Sequence, residues 1–177
     1  IKSRMGKEVD RAKQAISLAQ EKHVVMISGG DPGVYGMAGL ILEMAEQTSP
    51  DLTVEVIPGV TAASAGAALL GAPLTNDFAV ISLSDLLTPR EIIEKRIRAI
   101  CTAGIPMVLY NPKSRTRTSL FEDAIAIARK HLSDDTPVGI VKDAYRPDQT
   151  IIVTTLREVM DVEDSVDMHT VVFIGGE

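Results

Sequence analysis

The chain has 177 residues, 45% hydrophobic and only 3% aromatic with no tryptophan, enough apolar sequence for a packed core of layered helices and parallel strands rather than an aromatic-rich β-sandwich. A net charge of −6 disfavours a broad nucleic-acid or anionic-membrane surface, because such surfaces need clustered Lys and Arg. One cysteine, Cys101, excludes an intramolecular disulfide or a multi-cysteine zinc site and is compatible with a reducing compartment, the cytoplasm by default, and no apolar run approaches the roughly 20 residues of a membrane helix.

Val9, Ala12, Ile16 and Ala19 recur at helical spacing and predict an amphipathic helix over 7–20. Val24-Val25-Met26-Ile27 is a continuous apolar run ending in glycines, as in a strand covered on both faces. Helical spacing resumes at Met37, Leu40, Ile41 and Met44. Residues 52–57 predict the next strand, closed by Pro58-Gly59, and Thr61 is placed to cap an Ala-rich helix over 62–70.

The polar stretch 73–77 divides the chain into an N-terminal lobe, residues 1–75, and a C-terminal lobe, residues 76–177. The second lobe opens with a strand at 79–83. Thr88 and Glu91 have capping-box spacing with Pro89 at the first helical position, ahead of a stripe of Ile92, Ile93, Ile97 and Ile100. A strand at 107–110, a helix marked by Leu120, Ala124, Ile127 and Ala128, and strands at 138–141, 151–154 and 171–174 follow. Thr155 with Glu158 again has capping-box spacing and predicts a short helix between the last two strands. The fold class is α/β, with two lobes and a ligand cleft between them. Ligand loops at the carboxyl ends of strands place the segments after Ile27, Ile57, Tyr110 and Val141 on that cleft.

The loop 28–36 has glycines at 29, 30, 33 and 36, which let a ligand approach the backbone, and Asp31 adds a carboxylate. It lacks the Lys and Ser/Thr of a P-loop and misses the dinucleotide spacing, so a ligand with hydroxyls and an amine fits it better than phosphates. The alternative is a tight strand-to-helix turn with Asp31 as a cap. Pro58 to Ala65 offers small residues against which a flat group packs, or simply an N-capped helix close to a sheet. Asn111 at a strand end is followed by Lys113, Arg115 and Arg117, a local site for carboxylates or else a solvated loop. Residues 142–149, with Tyr145 and Arg146, form either a rim or a turn.

His23, His131 and His169 lack metal-ligand spacing and read as surface or capping residues, so no metal site is expected. Cys101 lies on the apolar stripe after Ile97 and Ile100 and reads as a buried, inert thiol. The methionines read as core filler.

In this order, Gly29-Gly30-Asp31-Pro32 with Tyr35-Gly36, Pro58-Gly59-Val60-Thr61-Ala62, and Leu74 at the lobe junction resemble the tetrapyrrole (corrin/porphyrin) methylase superfamily over essentially the whole chain. Leu83-Ser84-Asp85-Leu86-Leu87-Thr88-Pro89 and Leu109 to Arg115 are similar to its precorrin-3B and cobalt-precorrin-3B C17-methyltransferase branch, in cobalamin synthesis. The resemblance implies S-adenosylmethionine bound by Gly29, Gly30, Asp31, Val34, Tyr35, Thr61, Ala62, Tyr110, Asn111 and Ala144, with S-adenosylhomocysteine as product. It implies a tetrapyrrole substrate whose carboxylates meet Lys113 and Arg115, and a homodimer.

Coupling to ring contraction calls for a proton donor or acceptor, with Ser84, Asp85, Tyr110 and Lys113 as candidates. The family also opens with a strand ending in a Gly-Pro-Gly-type loop, which residues 1–21 do not supply, so the chain reads as N-terminally truncated and its activity as given is open. Rival readings are another methylase of the same fold, acting on a different precorrin carbon, as a diphthine synthase or on ribosomal RNA, and a non-catalytic module that binds S-adenosylmethionine or a tetrapyrrole. Absent basic charge disfavours RNA.

Overall fold

The computed structural model describes residues 6–114 and 118–176, and the chain divides into two compact units, residues 1–61 and 62–177. In the first unit, α1 (Glu8–Ala19) packs on α2 (Ala38–Thr48) through Ala12, Ile16, Ala38 and Ala45, all buried. These small side chains at helical spacing let the helices approach closely. The Gln20 side-chain amide donates to the Ser49 hydroxyl (2.9 Å), tying the end of α1 to the end of α2.

The two strands expected in this unit do not form. Residues 24–28 and 52–57 belong to no sheet among the described residues. A strand exists only where a neighbour takes its N–H and C=O groups, and neither segment has one. The apolar runs are real, but Val25, Ile27 and Ile57 are 85%, 92% and 71% exposed.

The second unit holds α3 (Ala62–Leu69) and a five-stranded sheet of β1 (Ala79–Ser82), β2 (Met107–Tyr110), β3 (Pro137–Lys142), β4 (Thr150–Thr155) and β5 (Thr170–Ile174), in the order β1-β2-β5-β3-β4. Only β1 and β2 are parallel neighbours; β5 runs against both β2 and β3, and β3 runs against β4. The parallel sheet expected from composition is thus a mixed one. The connection from β3 to β4 is too short for a crossover, so the chain reverses there.

Alternation along the strands sorts the core onto two faces. Met107, Leu109, Val172 and Ile174 face α4 (Arg90–Thr102) and α5 (Ser119–Ala128), meeting Ile93, Ile97, Phe121 and Ile125. Val108, Val141, Val171 and Phe173 face α3 and meet Ala63 and Ala67. A Cβ at Gly66 would lie 2.7 Å from the Phe173 ring, so only glycine lets α3 sit this close to β5.

Two capping expectations are corrected. Pro89 is the residue before α4 rather than its first residue, with extended ψ of 140°, and no side chain caps that helix. The segment Val159–Ser165 is a 3-10 helix, preceded by Glu158 and likewise without a side-chain cap.

Candidate functional site

In the first unit, Asp31 organises the glycine loop. Its Oδ1 accepts from the Gly33 N–H (2.7 Å) and its Oδ2 from the Gly59 N–H (3.0 Å). The Gly59 and Gly33 hydrogen bonds hold the Asp31 carboxyl below the ordinary carboxylate range, against a smaller opposing effect of burial. A Cβ at Gly59 would collide with the Gly30 carbonyl oxygen, so the two loops touch backbone to backbone. The carboxylate therefore closes the turn at Gly33 and bridges to the second loop, but it does not cap α2, which is preceded by Met37 and has no side-chain cap. Gly29 and Gly30 stay exposed, Val34 is half-buried, and Tyr35 takes a left-handed φ of 53°. A tyrosine in that region is unusual.

In the second unit, β1, β2 and β3 point their carboxyl ends to the same sheet edge. There the Tyr110 hydroxyl accepts from the Ala63 N–H at the start of α3 (2.7 Å). Ala62, Tyr110 and Ala144 pack, half-buried, on the cluster of Val108, Val141, Val171 and Phe173. Asn111 is left-handed (φ 52°), and its amide donates to the Ser82 hydroxyl (2.9 Å), which also accepts from the Ser84 N–H (3.3 Å). Ser82 is the residue that sequence reading passed over. Its register opposite Tyr110 in the parallel pair β1–β2 was the missing signal. Ser84 is half-buried and Asp85 exposed on the loop beyond it.

The loop after β3 repeats the pattern, with Asp143 and Tyr145 both left-handed (φ 48° and 59°). Asp143 donates its N–H to the His169 carbonyl (3.1 Å), and its carboxylate lies 3.4 Å from the His169 ring and 3.7 Å from Arg146. Together with Tyr35 and Asn111, these are all the left-handed non-glycine residues among those described, and each falls on a loop that the sequence singles out.

Lys113 is placed differently. Its side chain is only 11% exposed, and its ammonium donates to the Glu163 carboxylate (2.9 Å) and the Glu163 carbonyl (3.2 Å) over the Phe121 ring. The ammonium anchors the 159–165 segment. Arg115 and Arg117 lie outside the described residues. Cys101 is buried, and burial pushes its thiol up to about 11. Among the described residues no group of three or more His, Cys, Asp or Glu is arranged to hold a metal ion, and no helix is long and apolar enough to cross a membrane.

Comparison with known proteins places these loops in a family. The model of the Tetrapyrrole (Corrin/Porphyrin) Methylases matches residues 2–160. The chain is 48% identical, over its whole length and 73% of the relative's, to the probable cobalt-factor III C(17)-methyltransferase of Salmonella typhimurium. It is 42% identical to the precorrin-3B C(17)-methyltransferase of a Sinorhizobium species, covering 95% of this chain and 67% of that one. The crystal structure of the methyltransferase CobJ superposes with a TM-score of 0.90 at 36% identity, covering 99% of this chain and 78% of that chain. Across the curated relatives it matches, the chain spans from a third to about three quarters of their length. The chain belongs to the tetrapyrrole (corrin/porphyrin) methylase family.

Proposed function

We propose that this polypeptide is an S-adenosylmethionine-dependent C-methyltransferase of cobalamin biosynthesis that methylates C17 of precorrin-3B or its cobalt form with contraction of the ring. The observation that carries the reading is the likeness to CobJ along almost the whole chain, at 36% identity and a TM-score of 0.90. When bound, S-adenosylmethionine supplies an activated methyl group that a ring carbon takes by in-line displacement, which demands alignment and exclusion of water rather than a protein nucleophile.

The residues present suit such a donor. The exposed Gly29–Gly30 backbone offers N–H and C=O groups, and the half-buried Ala62, Tyr110 and Ala144 offer a small, apolar surface for a flat ring. Asp31 orders the loop that carries those glycines. Thr61, Val34, Tyr35 and Asn111 complete the proposed donor contacts. Ser84, Asp85 and Tyr110 are the proposed proton-handling groups for ring contraction, and Arg115 meets substrate carboxylates. A cytoplasmic homodimer belongs to the same proposal, supported by the family resemblance and by a single, buried thiol.

Calorimetry with S-adenosylmethionine and S-adenosylhomocysteine, followed by mass analysis of precorrin-3B and its cobalt form after incubation, tests this. A mass gain of one methyl on either substrate is expected. Donor binding with no transfer to either favours a non-catalytic module.

A further inference from the structure

One hydroxyl, that of Ser82, ties the exit of β1 to the exit of β2. Alternation puts Val80 on the α3 face of the sheet and Ile81 on the α4–α5 face, so Ser82 returns to the α3 side, level with Tyr110 of β2. Asn111, one residue beyond Tyr110, would by the same alternation point to the opposite face. Its left-handed φ of 52° turns the chain back, and the side-chain amide then reaches the Ser82 hydroxyl at 2.9 Å. Asparagine is among the few residues besides glycine that adopt this backbone at small cost.

The hydroxyl is itself held. Its oxygen also accepts from the Ser84 N–H at 3.3 Å, a local bond that turns the chain as it leaves β1. A serine oxygen has two lone pairs, and here each meets a donor. Half-buried and fixed on two sides, it is a stationary acceptor that keeps the Asn111 Nδ2 turned toward β1 and the other end of the amide turned away. The two ends of an amide have nearly the same shape and opposite hydrogen-bonding character, so the way it faces decides what a ligand meets.

We propose that Ser82 is a positioning residue for the methyl donor: by holding the Asn111 amide in one orientation, it fixes the group that Asn111 presents to S-adenosylmethionine. This role rests on the proposed function, in which Asn111 is a donor contact. A bond that served stability alone would leave donor affinity untouched. A positioning bond is felt in affinity, and only while Asn111 is present.

The test uses the 177-residue chain and its only two asparagines, Asn76 and Asn111. With isotope labelling confined to asparagine, the side-chain amide protons of Asn111 should exchange with water at least about threefold more slowly than those of exposed Asn76, and Ser82→Ala should abolish the difference. Calorimetry then reads the donor. Ser82→Ala should raise the Kd for S-adenosylmethionine by about fivefold, as the loss of one hydrogen bond implies, and Ser82→Thr, which keeps the hydroxyl and suits a strand, should stay within about twofold of the parent. Asn111→Ala should raise the Kd as well, and adding Ser82→Ala to it should change the value by less than about twofold. Ile93→Val, which removes a methyl group from the buried face of α4 and lowers stability, should leave the Kd as it is.

The role is overturned if the two asparagine amides exchange alike in the parent, if Ser82→Ala or Asn111→Ala leaves the Kd unchanged, or if their effects multiply in the double variant. It is overturned as well if Ser82→Thr loses as much affinity as Ser82→Ala, or if Ile93→Val does, because the loss would then follow stability. A chain whose Asn111 amide is held as described but which binds neither S-adenosylmethionine nor S-adenosylhomocysteine overturns the proposed function, and this role with it.

Discussion

Asp31 and Gly59, 28 residues apart, are joined by a 3.0 Å hydrogen bond that makes one structure of two loops. Replacing Asp31 by Asn turns one acceptor into a donor facing an N–H group, so the bridge to Gly59 or the turn at Gly33 is lost. Affinity for S-adenosylmethionine should fall by about tenfold in Asp31→Asn, read by calorimetry, with the helices intact by circular dichroism.

The same carboxylate makes a pH prediction with a definite sign. Its folded value lies below its unfolded one, so the stability it contributes is fully present above the ordinary carboxylate range and is lost as pH falls through the lowered value. Acid unfolding of the first unit, followed by exchange at Gly33 and Gly59, should begin at a higher pH in Asp31→Asn than in the parent chain.

Tyr110→Phe removes the oxygen that accepts from the Ala63 N–H and leaves that amide without its partner in a buried residue. A cost of about 1–3 kcal/mol is expected. Thermal unfolding should report it as a fall of about 2–4 °C per kcal/mol.

Lys113 and Glu163 should behave as one structural unit. Lys113→Met and Glu163→Gln should each destabilise, and the double variant should show a coupling of about 1 kcal/mol in a thermodynamic cycle. KM for the tetrapyrrole should shift equally in the two single variants. A much larger rise in Lys113→Met alone would return the ammonium to the substrate.

Two helical glycines should respond in opposite directions. Gly66→Ala drives a methyl group against the Phe173 ring and should destabilise by about 1–3 kcal/mol. Gly39→Ala meets nothing within 4 Å in α2 and should stabilise by up to about 1 kcal/mol. Denaturant unfolding of both variants checks the contrast.

The sequence by itself determined the helices and every strand of the second unit, because period and flanking punctuation are local properties of the chain. Ile93, Ile97 and Cys101 lie on α4's buried side as their spacing requires. It also marked the loops at Gly29–Gly36, Tyr110–Asn111 and Asp143–Tyr145, where glycine or a strand end permits unusual backbone. Tertiary structure alone decided which apolar runs become strands. Val24–Ile27 and residues 52–57 have strand composition, but a ladder needs a partner that composition cannot name. It decided that β5 runs against β2 and β3, a matter of long-range pairing. It also decided the use of each charge. Asp31 bridges to a glycine 28 residues away, and the Lys113 ammonium pairs with Glu163, 50 residues on. Spacing places a residue on an element, but only the folded chain shows which distant group satisfies it.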